Sequence, residues 1–172
     1  MRHGNTKISY RVALCGVMVA LALVFGYIEH LVPLPIGIYG IKLGLANLVV
    51  VVMLYSFKWY TALSVNLLRI FISFLLFGSA TSLIYSLCGG ILSFCLMLLM
   101  SRLKKPSFSV IGVSICGAIA HNIGQICAAV ILLDELRIAF YLPVLIAVGA
   151  ITGTLIGLIA MPILKHPMFK KI

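Results

Sequence analysis

A few polar side chains interrupt long apolar stretches of this sequence, and their types suit the binding of a small anion. Arg69 shares one helical face with Asn66 and Ser73, because the three are spaced three and four residues apart. His121 and Gln125 are also four residues apart. Lys42, Asn47 and Asn122 add a cation and two amides within the apolar runs. The candidate substrate-binding residues are therefore Lys42, Asn47, Arg69, His121, Asn122 and Gln125.

Each of these residues also has a structural interpretation. Arg69 could extend to the membrane surface or join helices through backbone carbonyls, and Lys42 could be an interfacial anchor. The asparagines could simply hydrogen-bond neighbouring helices, which we expect above all of Asn66. A buried cation, however, needs a carboxylate or a bound anion. The only acidic residues in the sequence are Glu29, Asp134 and Glu135, so the shortage of carboxylates favours an anionic ligand.

Motifs for catalysis and for metal binding are missing from the sequence. It has no G-x-x-x-x-G-K-[ST] nucleotide-binding loop and no aspartate-rich run that would hold magnesium diphosphate. Five cysteines fall within apolar runs, without a C-x-x-C pair or a histidine pair at ligand spacing. We therefore predict no metal site, no catalytic residues and no enzymatic activity.

The polar residues must be positioned by membrane-spanning helices. Hydrophobic residues make up 63% of the 172-residue chain and charged residues only 9%, too few for a water-exposed surface. A helix crosses the hydrocarbon core with about 20 residues. Cutting the apolar runs at charges, prolines and glycine clusters predicts a single all-α integral membrane domain over 1–172. Its six transmembrane helices are predicted at 12–31, 41–57, 60–77, 82–101, 109–133 and 142–164.

The distribution of charge predicts the orientation of this six-helix bundle. With six spans, the basic residues on the side of the termini are Arg2, Lys7, Arg11, Lys58, Arg102, Lys104, Lys105, Lys165, Lys170 and Lys171, ten of the thirteen in the chain. The three acidic residues fall on the opposite side. The positive-inside rule then places both termini in the cytoplasm. Scattered loop charges of this kind argue against nucleic-acid binding, despite the formal charge of +10.

Small residues and one unusual loop complete the sequence pattern. Gly16 and Ala20 form a small stripe on the first span that suits either internal packing or a partner interface. Gly149, Gly153 and Gly157 recur every four residues on the last span, where internal packing is the expected role. The loop 32–40, VPLPIGIYG, is apolar and rich in proline and glycine, which favours a lid over the outer mouth of the bundle above a plain connection between spans.

Several segments resemble the bacterial family called Gx transporters, also labelled heptaprenyl diphosphate synthase component I. They are IKLGLANLVVVVMLY (41–55), LLRIFISFLLFG (67–78), IYSLCGGILSFCLMLLM (84–100) and VSICGAIAHNIGQICAA (113–129), with the motifs K-x-G-x-x-N and G-A-x-x-H-N-x-G-Q. The resemblance implies a bundle similar to the substrate-binding S components of energy-coupling factor (ECF) transporters. It also implies a transmembrane T subunit and two ATPase subunits as partners, with Gly16 and Ala20 at the interface with the T subunit.

The sequence is compatible with two functions. The first is an S component-like subunit in the bacterial plasma membrane that binds a small anionic cofactor or precursor; the family resemblance suggests a flavin or a quinone- or isoprenoid-related compound. The second is a non-catalytic membrane anchor, or component I, of a heptaprenyl diphosphate synthase. In that case the polar residues only join helices, and soluble partners contact segments such as 102–106. An intramembrane enzyme would need an acid–base pair that the sequence does not offer.

Overall fold

The computed structural model of the protein describes residues 2–31, 42, 44–103 and 109–170, and every regular element in these ranges is helical. Seven α-helices and one 3-10 helix follow one another along the chain. They are α1 (Arg2–Leu31), α2 (Asn47–Ser56), α3 (Trp59–Phe77), α4 (Ala80–Arg102), α5 (Val110–Leu133), the 3-10 helix (Leu136–Tyr141), α6 (Leu142–Lys165) and the short α7 (Pro167–Lys170).

Among the described residues, five segments are long and apolar enough to cross a membrane: Ser9–Leu31, Trp59–Phe77, Ala80–Arg102, Val110–Leu133 and Leu136–Lys165. They coincide with five of the six predicted spans, so the protein is a multi-pass, all-helical membrane protein. The second predicted span differs, because helix α2 has only 10 residues and begins at Asn47 instead of residue 41. Ten residues rise about 15 Å, roughly half of the hydrocarbon thickness.

Helix α2 lies in the centre of the bundle. Its first seven residues, from Asn47 to Met53, are all buried, and it contacts α1, α3, α4, α5 and α6. A helix that is apolar on every side must be surrounded by other helices or lipid. The valine run Val49–Val52 is therefore core packing, and Asn47 enters the interior at the start of this helix.

Glycines let α4, α5 and α6 approach one another closely. An added Cβ at Gly124 of α5 would lie 2.7 Å from the Cys88 carbonyl oxygen of α4. On α6, added Cβ atoms at Gly153 and Gly157 would each lie 2.6 Å from a backbone Cα of α5. The expectation that the glycine stripe of the last span serves internal packing is confirmed. Helix α4 continues without a break through Gly89 and Gly90, which are both buried.

Polar residues cap both ends of α5 and the start of α4. The hydroxyl groups of Ser79 and Ser109 accept hydrogen bonds from the backbone N–H groups of Ser82 and Gly112 in the first turns of α4 and α5. Helix α5 ends at Leu133, and the cap residue Asp134 that follows adopts a left-handed conformation with φ of 50°. Aspartate tolerates this region better than most residues do. These residues help to set the bounds of α4 and α5, and α5 carries His121 and Gln125.

The small stripe of α1 faces away from the bundle. Gly16 and Ala20 are both exposed, and an added Cβ at Gly16 would meet no atom within 4 Å. Internal packing of this stripe, one of the two roles considered for it, is therefore not what the structure shows. The predicted lid, 32–40, and the loop residues 104–106 lie outside the described residues.

Candidate functional site

Polar side chains from four helices and one connecting segment form a buried group inside the bundle, which we call the Arg69 site. Its members are Glu29 of α1, Lys42 and Gly44 before α2, Asn47 of α2, Asn66 and Arg69 of α3, and His121 and Gln125 of α5. Arg69 is 7% exposed, and Gln125 is fully buried. Polar groups at this depth in a membrane protein need partners or have a function.

Arg69 is anchored by a short chain of hydrogen bonds. Its Nε donates to Asn66 Oδ1 over 3.0 Å, and Asn66 Nδ2 donates to the Gly90 carbonyl oxygen of α4 over 3.1 Å. The predicted shared face of Asn66, Arg69 and Ser73 is confirmed, because all three are buried on α3. Asn66 thus joins two helices, as expected, and also orients the guanidinium group. Arginine offers further donors in a planar fork that suits carboxylates and phosphates.

Glu29 supplies the carboxylate of the site. It is 6% exposed, and its Oε1 accepts a hydrogen bond of 2.5 Å from the backbone N–H of Leu45. It also interacts electrostatically with Arg69 and Lys42. No ion pair within 4.0 Å joins these groups in the described part of the chain, where the one such pair is Arg137–Glu135 at 3.7 Å. Glu29 therefore holds the segment before α2 while it offsets one of the two cations.

Gly44 and Gly89 bring the amide and imidazole side chains together. Gly44 has a φ of 84°, and an added Cβ there would lie 2.8 Å from Asn47 Nδ2 and 3.3 Å from His121 Cδ2. A Cβ at Gly89 would lie 3.0 Å from His121 Nδ1 and 2.9 Å from Gln125 Cγ. Glycine is required at Gly44 by both its backbone conformation and its close neighbours. The K-x-G-x-x-N motif therefore encodes a turn that places Lys42 and Asn47 beside α5.

Several buried polar atoms of the site have no hydrogen-bond partner within the described ranges. They are Asn47 Nδ2, His121 Nδ1 and Gln125 Nε2, with Ser86 Oγ of α4 on the adjoining helix. The orientation of Gln125 is set, because its Oε1 accepts from the backbone N–H of Lys42 over 3.2 Å and its Nε2 is left over. An unsatisfied buried polar group costs about 1–3 kcal/mol, so a bound molecule that accepts hydrogen bonds would be stabilised here.

Asn122 lies apart from the other predicted site residues. Its Nδ2 donates to the Leu145 carbonyl oxygen of α6 over 2.7 Å, and its amide packs against Gly149. Neighbouring positions on a helix point about 100° apart, so Asn122 faces α6 while His121 and Gln125 face α4 and α2. The structure therefore brings together Lys42, Asn47, Arg69, His121 and Gln125, and it gives Asn122 a contact between helices.

Two residues of the site were missed as site members in the sequence. Glu29 was noted only as one of three acids able to pair with Arg69, because its place on the first span does not reveal what faces it. Gly44 belongs to the recognised motif but has no functional group. The sequence signal for its role is the position of the glycine, two residues after Lys42 and three before Asn47.

The charges of the site leave it cationic. Lys42 and Arg69 are balanced by Glu29 alone, for a formal charge of +1, and the segment 32–41 contains no charged residue. His121 also experiences the field of both cations. Among the described residues no three His, Cys, Asp or Glu side chains form a metal-binding group. Net positive charge, a guanidinium fork and unpartnered N–H donors are chemically suited to a small anion with several acceptor oxygens.

Comparison with known proteins supports the resemblance seen in the sequence. Residues 18–163, which include every predicted substrate-binding residue, match the family model described as heptaprenyl diphosphate synthase component I. Comparisons with curated proteins and with solved structures gave no significant match. The family model covers most of the chain, including residues 18–31 of the first long apolar segment and nearly all of the other four. The chain therefore belongs to the heptaprenyl diphosphate synthase component I family.

Proposed function

We propose that this protein is a substrate-binding subunit of the cell membrane, similar to the S component of an ECF transporter, and that it binds a small anionic cofactor or precursor at the Arg69 site. The observation that carries the proposal is the combination of a net positive charge with buried N–H donors to which the described residues offer no acceptor. A protein that only needed helix–helix contacts would be expected to satisfy these groups internally.

The proposed ligand class is a flavin or a quinone- or isoprenoid-related anion. Its anionic group would lie between Arg69 and Lys42, with the amides of Asn47 and Gln125 donating to its remaining oxygens. The same proposal includes a topology of six spans, termini in the cytoplasm and a role for 32–40 as a lid. In this scheme the subunit has no catalytic role, and energy for transport comes from a T subunit and two ATPase subunits.

Replacing Arg69 with alanine is expected to weaken binding of such an anion by about 10–100-fold, the effect of losing a hydrogen bond between charged groups. The measurement is the affinity of the purified protein for flavin mononucleotide, a naphthoate and a prenyl diphosphate. Arg69→Lys should retain part of the affinity, because it keeps the charge and loses the fork. Arg137→Ala is the matched control, since its side chain is 88% exposed. Equal affinity of Arg69→Ala and the wild type would remove Arg69 from the site.

The outward stripe of α1 supports a partner in the membrane. Gly16 has open space around it, and Ala20 is exposed one turn further along. Gly16→Leu is therefore expected to leave the fold and ligand affinity unchanged and to reduce co-purification with the T and ATPase subunits several-fold. Val17→Ala, a change on the neighbouring exposed position, is the control. Unchanged co-purification of Gly16→Leu would place the partner elsewhere.

The family description favours one alternative, a non-catalytic membrane component of a heptaprenyl diphosphate synthase. In that case a soluble synthase would co-purify with the protein, and the polar residues would join helices only. This alternative would be supported if a synthase co-purified without any ATPase subunit and the protein bound no small anion.

A further inference from the structure

A cavity of about 460 Å³ lies between the first half of α1 and the turn that joins α2 to α3. This volume falls within the range of roughly 300–1,000 Å³ that is typical of sites for small molecules. Arg11 and Cys15 line it from α1, and Ser56, Lys58 and Tyr60 line it from the turn. Arg11 and Glu29 are separated by about 27 Å along α1, so the cavity is distinct from the Arg69 site.

The polar lining of the cavity is cationic and donates hydrogen bonds. Arg11 and Lys58 both line it, and none of its lining residues is acidic. The Lys58 ammonium group lies 5.7 Å from the centroid of the Tyr60 ring, which holds it at the cavity wall. Ser56 Oγ is buried, and no hydrogen-bond partner for it occurs in the described ranges. A ligand with several negatively charged oxygens, such as a phosphate group, complements this lining.

Aromatic residues beside the cavity indicate its depth in the membrane. The side chains of Tyr55, Trp59 and Tyr60 are 40%, 46% and 50% exposed. Tryptophan and tyrosine concentrate at the level of the lipid headgroups. The neighbouring outer face of α1 is apolar, with Val12 and Val17 exposed at 66% and 54%. A phospholipid can place its phosphate in the cavity and its acyl chains along this face, which a soluble phosphate compound cannot do.

We propose that this cavity binds the phosphate group of an anionic phospholipid. Arg11 and Lys58 provide the charge, and the Ser56 hydroxyl group donates to a phosphate oxygen. The acyl chains lie along the side of α1 that exposes Val17, beside the Gly16–Ala20 stripe and not on it. This binding site is independent of the ligand proposed for the Arg69 site.

The test uses the full-length protein in nanodiscs of phosphatidylcholine with a minor fraction of phosphatidylglycerol, and native mass spectrometry counts the lipids retained on extraction. The wild type should retain phosphatidylglycerol in preference to phosphatidylcholine. Arg11→Gln/Lys58→Gln should reduce this retention by about tenfold or more, since each basic side chain near the headgroups strengthens binding of anionic lipid several-fold. Arg102→Gln/Lys165→Gln is the matched control, because both are exposed cations at helix ends away from the cavity.

Two further measurements keep the proposal open to contradiction. Ser56→Phe fills the cavity without changing the charge and should also reduce retention, with the variant checked for folding by circular dichroism and gel filtration. Inorganic phosphate at millimolar concentration should not displace the lipid. Equal retention by wild type and Arg11→Gln/Lys58→Gln would overturn the site, and displacement by inorganic phosphate would overturn the lipid as its ligand.

Discussion

A single methyl group added at Gly124 is expected to lower the thermal stability of the protein by several degrees and to weaken binding at the Arg69 site. The Cβ of alanine would lie 2.7 Å from the Cys88 carbonyl oxygen and 2.8 Å from the Gly89 Cα. Both atoms belong to the backbone of α4, so no side-chain rotation can relieve the contact. Overpacking of this kind costs about 1–3 kcal/mol. Moving α4 away from α5 would also displace His121 and Gln125 from Gly89.

The measurement compares apparent melting temperatures of purified Gly124→Ala and wild type, followed by the fluorescence of Trp59. For a chain of this length, each kcal/mol shifts the melting temperature by about 2–4 °C. Gly16→Ala is the matched control, since the same methyl group there meets nothing within 4 Å. A Gly124→Ala protein as stable as Gly16→Ala would show that α4 and α5 do not cross as closely as described.

Glu29→Gln is expected to destabilise the ligand-free protein and to increase the stabilisation that an anionic ligand provides. Glutamine preserves the size of the side chain and one acceptor oxygen for the Leu45 N–H, but it removes the charge that offsets Arg69 and Lys42. Removing one partner from a buried group of charges costs about 3–5 kcal/mol. The formal charge of the site then rises from +1 to about +2, so a bound anion contributes more.

The comparison requires melting curves of wild type and Glu29→Gln, each with and without a saturating anionic ligand. Glu135→Gln is the control, because that carboxylate pairs with Arg137 on the surface, where an ion pair contributes about 0–1 kcal/mol. Without ligand, Glu29→Gln should have a lower melting temperature than the wild type and than Glu135→Gln. An unchanged melting temperature for Glu29→Gln would mean that its carboxylate does not balance the two cations.

Much of the helical architecture follows from hydropathy alone, because a helix must be apolar over its whole length to cross the hydrocarbon core. Five predicted spans agree with helices of the structure in this way. The second agrees with helix α2 only over Asn47–Ser56, since hydropathy does not reveal the turn at Gly44 that precedes the helix. Residues 41–46 are mostly apolar and were therefore included in the predicted span, yet Gly44 forms a turn there with a φ of 84°.

The site could be predicted in part from helical spacing. Residues three or four apart share a face, which correctly grouped Arg69 with Asn66 and His121 with Gln125. Spacing cannot show which faces of different helices meet, and so it did not reveal Glu29 as a member of the site. Spacing also did not show that Asn122 and His121 contact different helices, because the positions of α4 and α6 around α5 are not visible in the sequence.

The central claim, a buried site for a small anion, is tested most directly by identifying what the protein retains. Gentle purification of wild type and Arg69→Ala, followed by extraction and mass spectrometry of bound small molecules, makes the comparison. We expect an anionic small molecule in near-equal molar amount in the wild type and its loss from Arg69→Ala. Retention of an uncharged or cationic molecule, or equal retention of the anion by folded Arg69→Ala, would contradict the account.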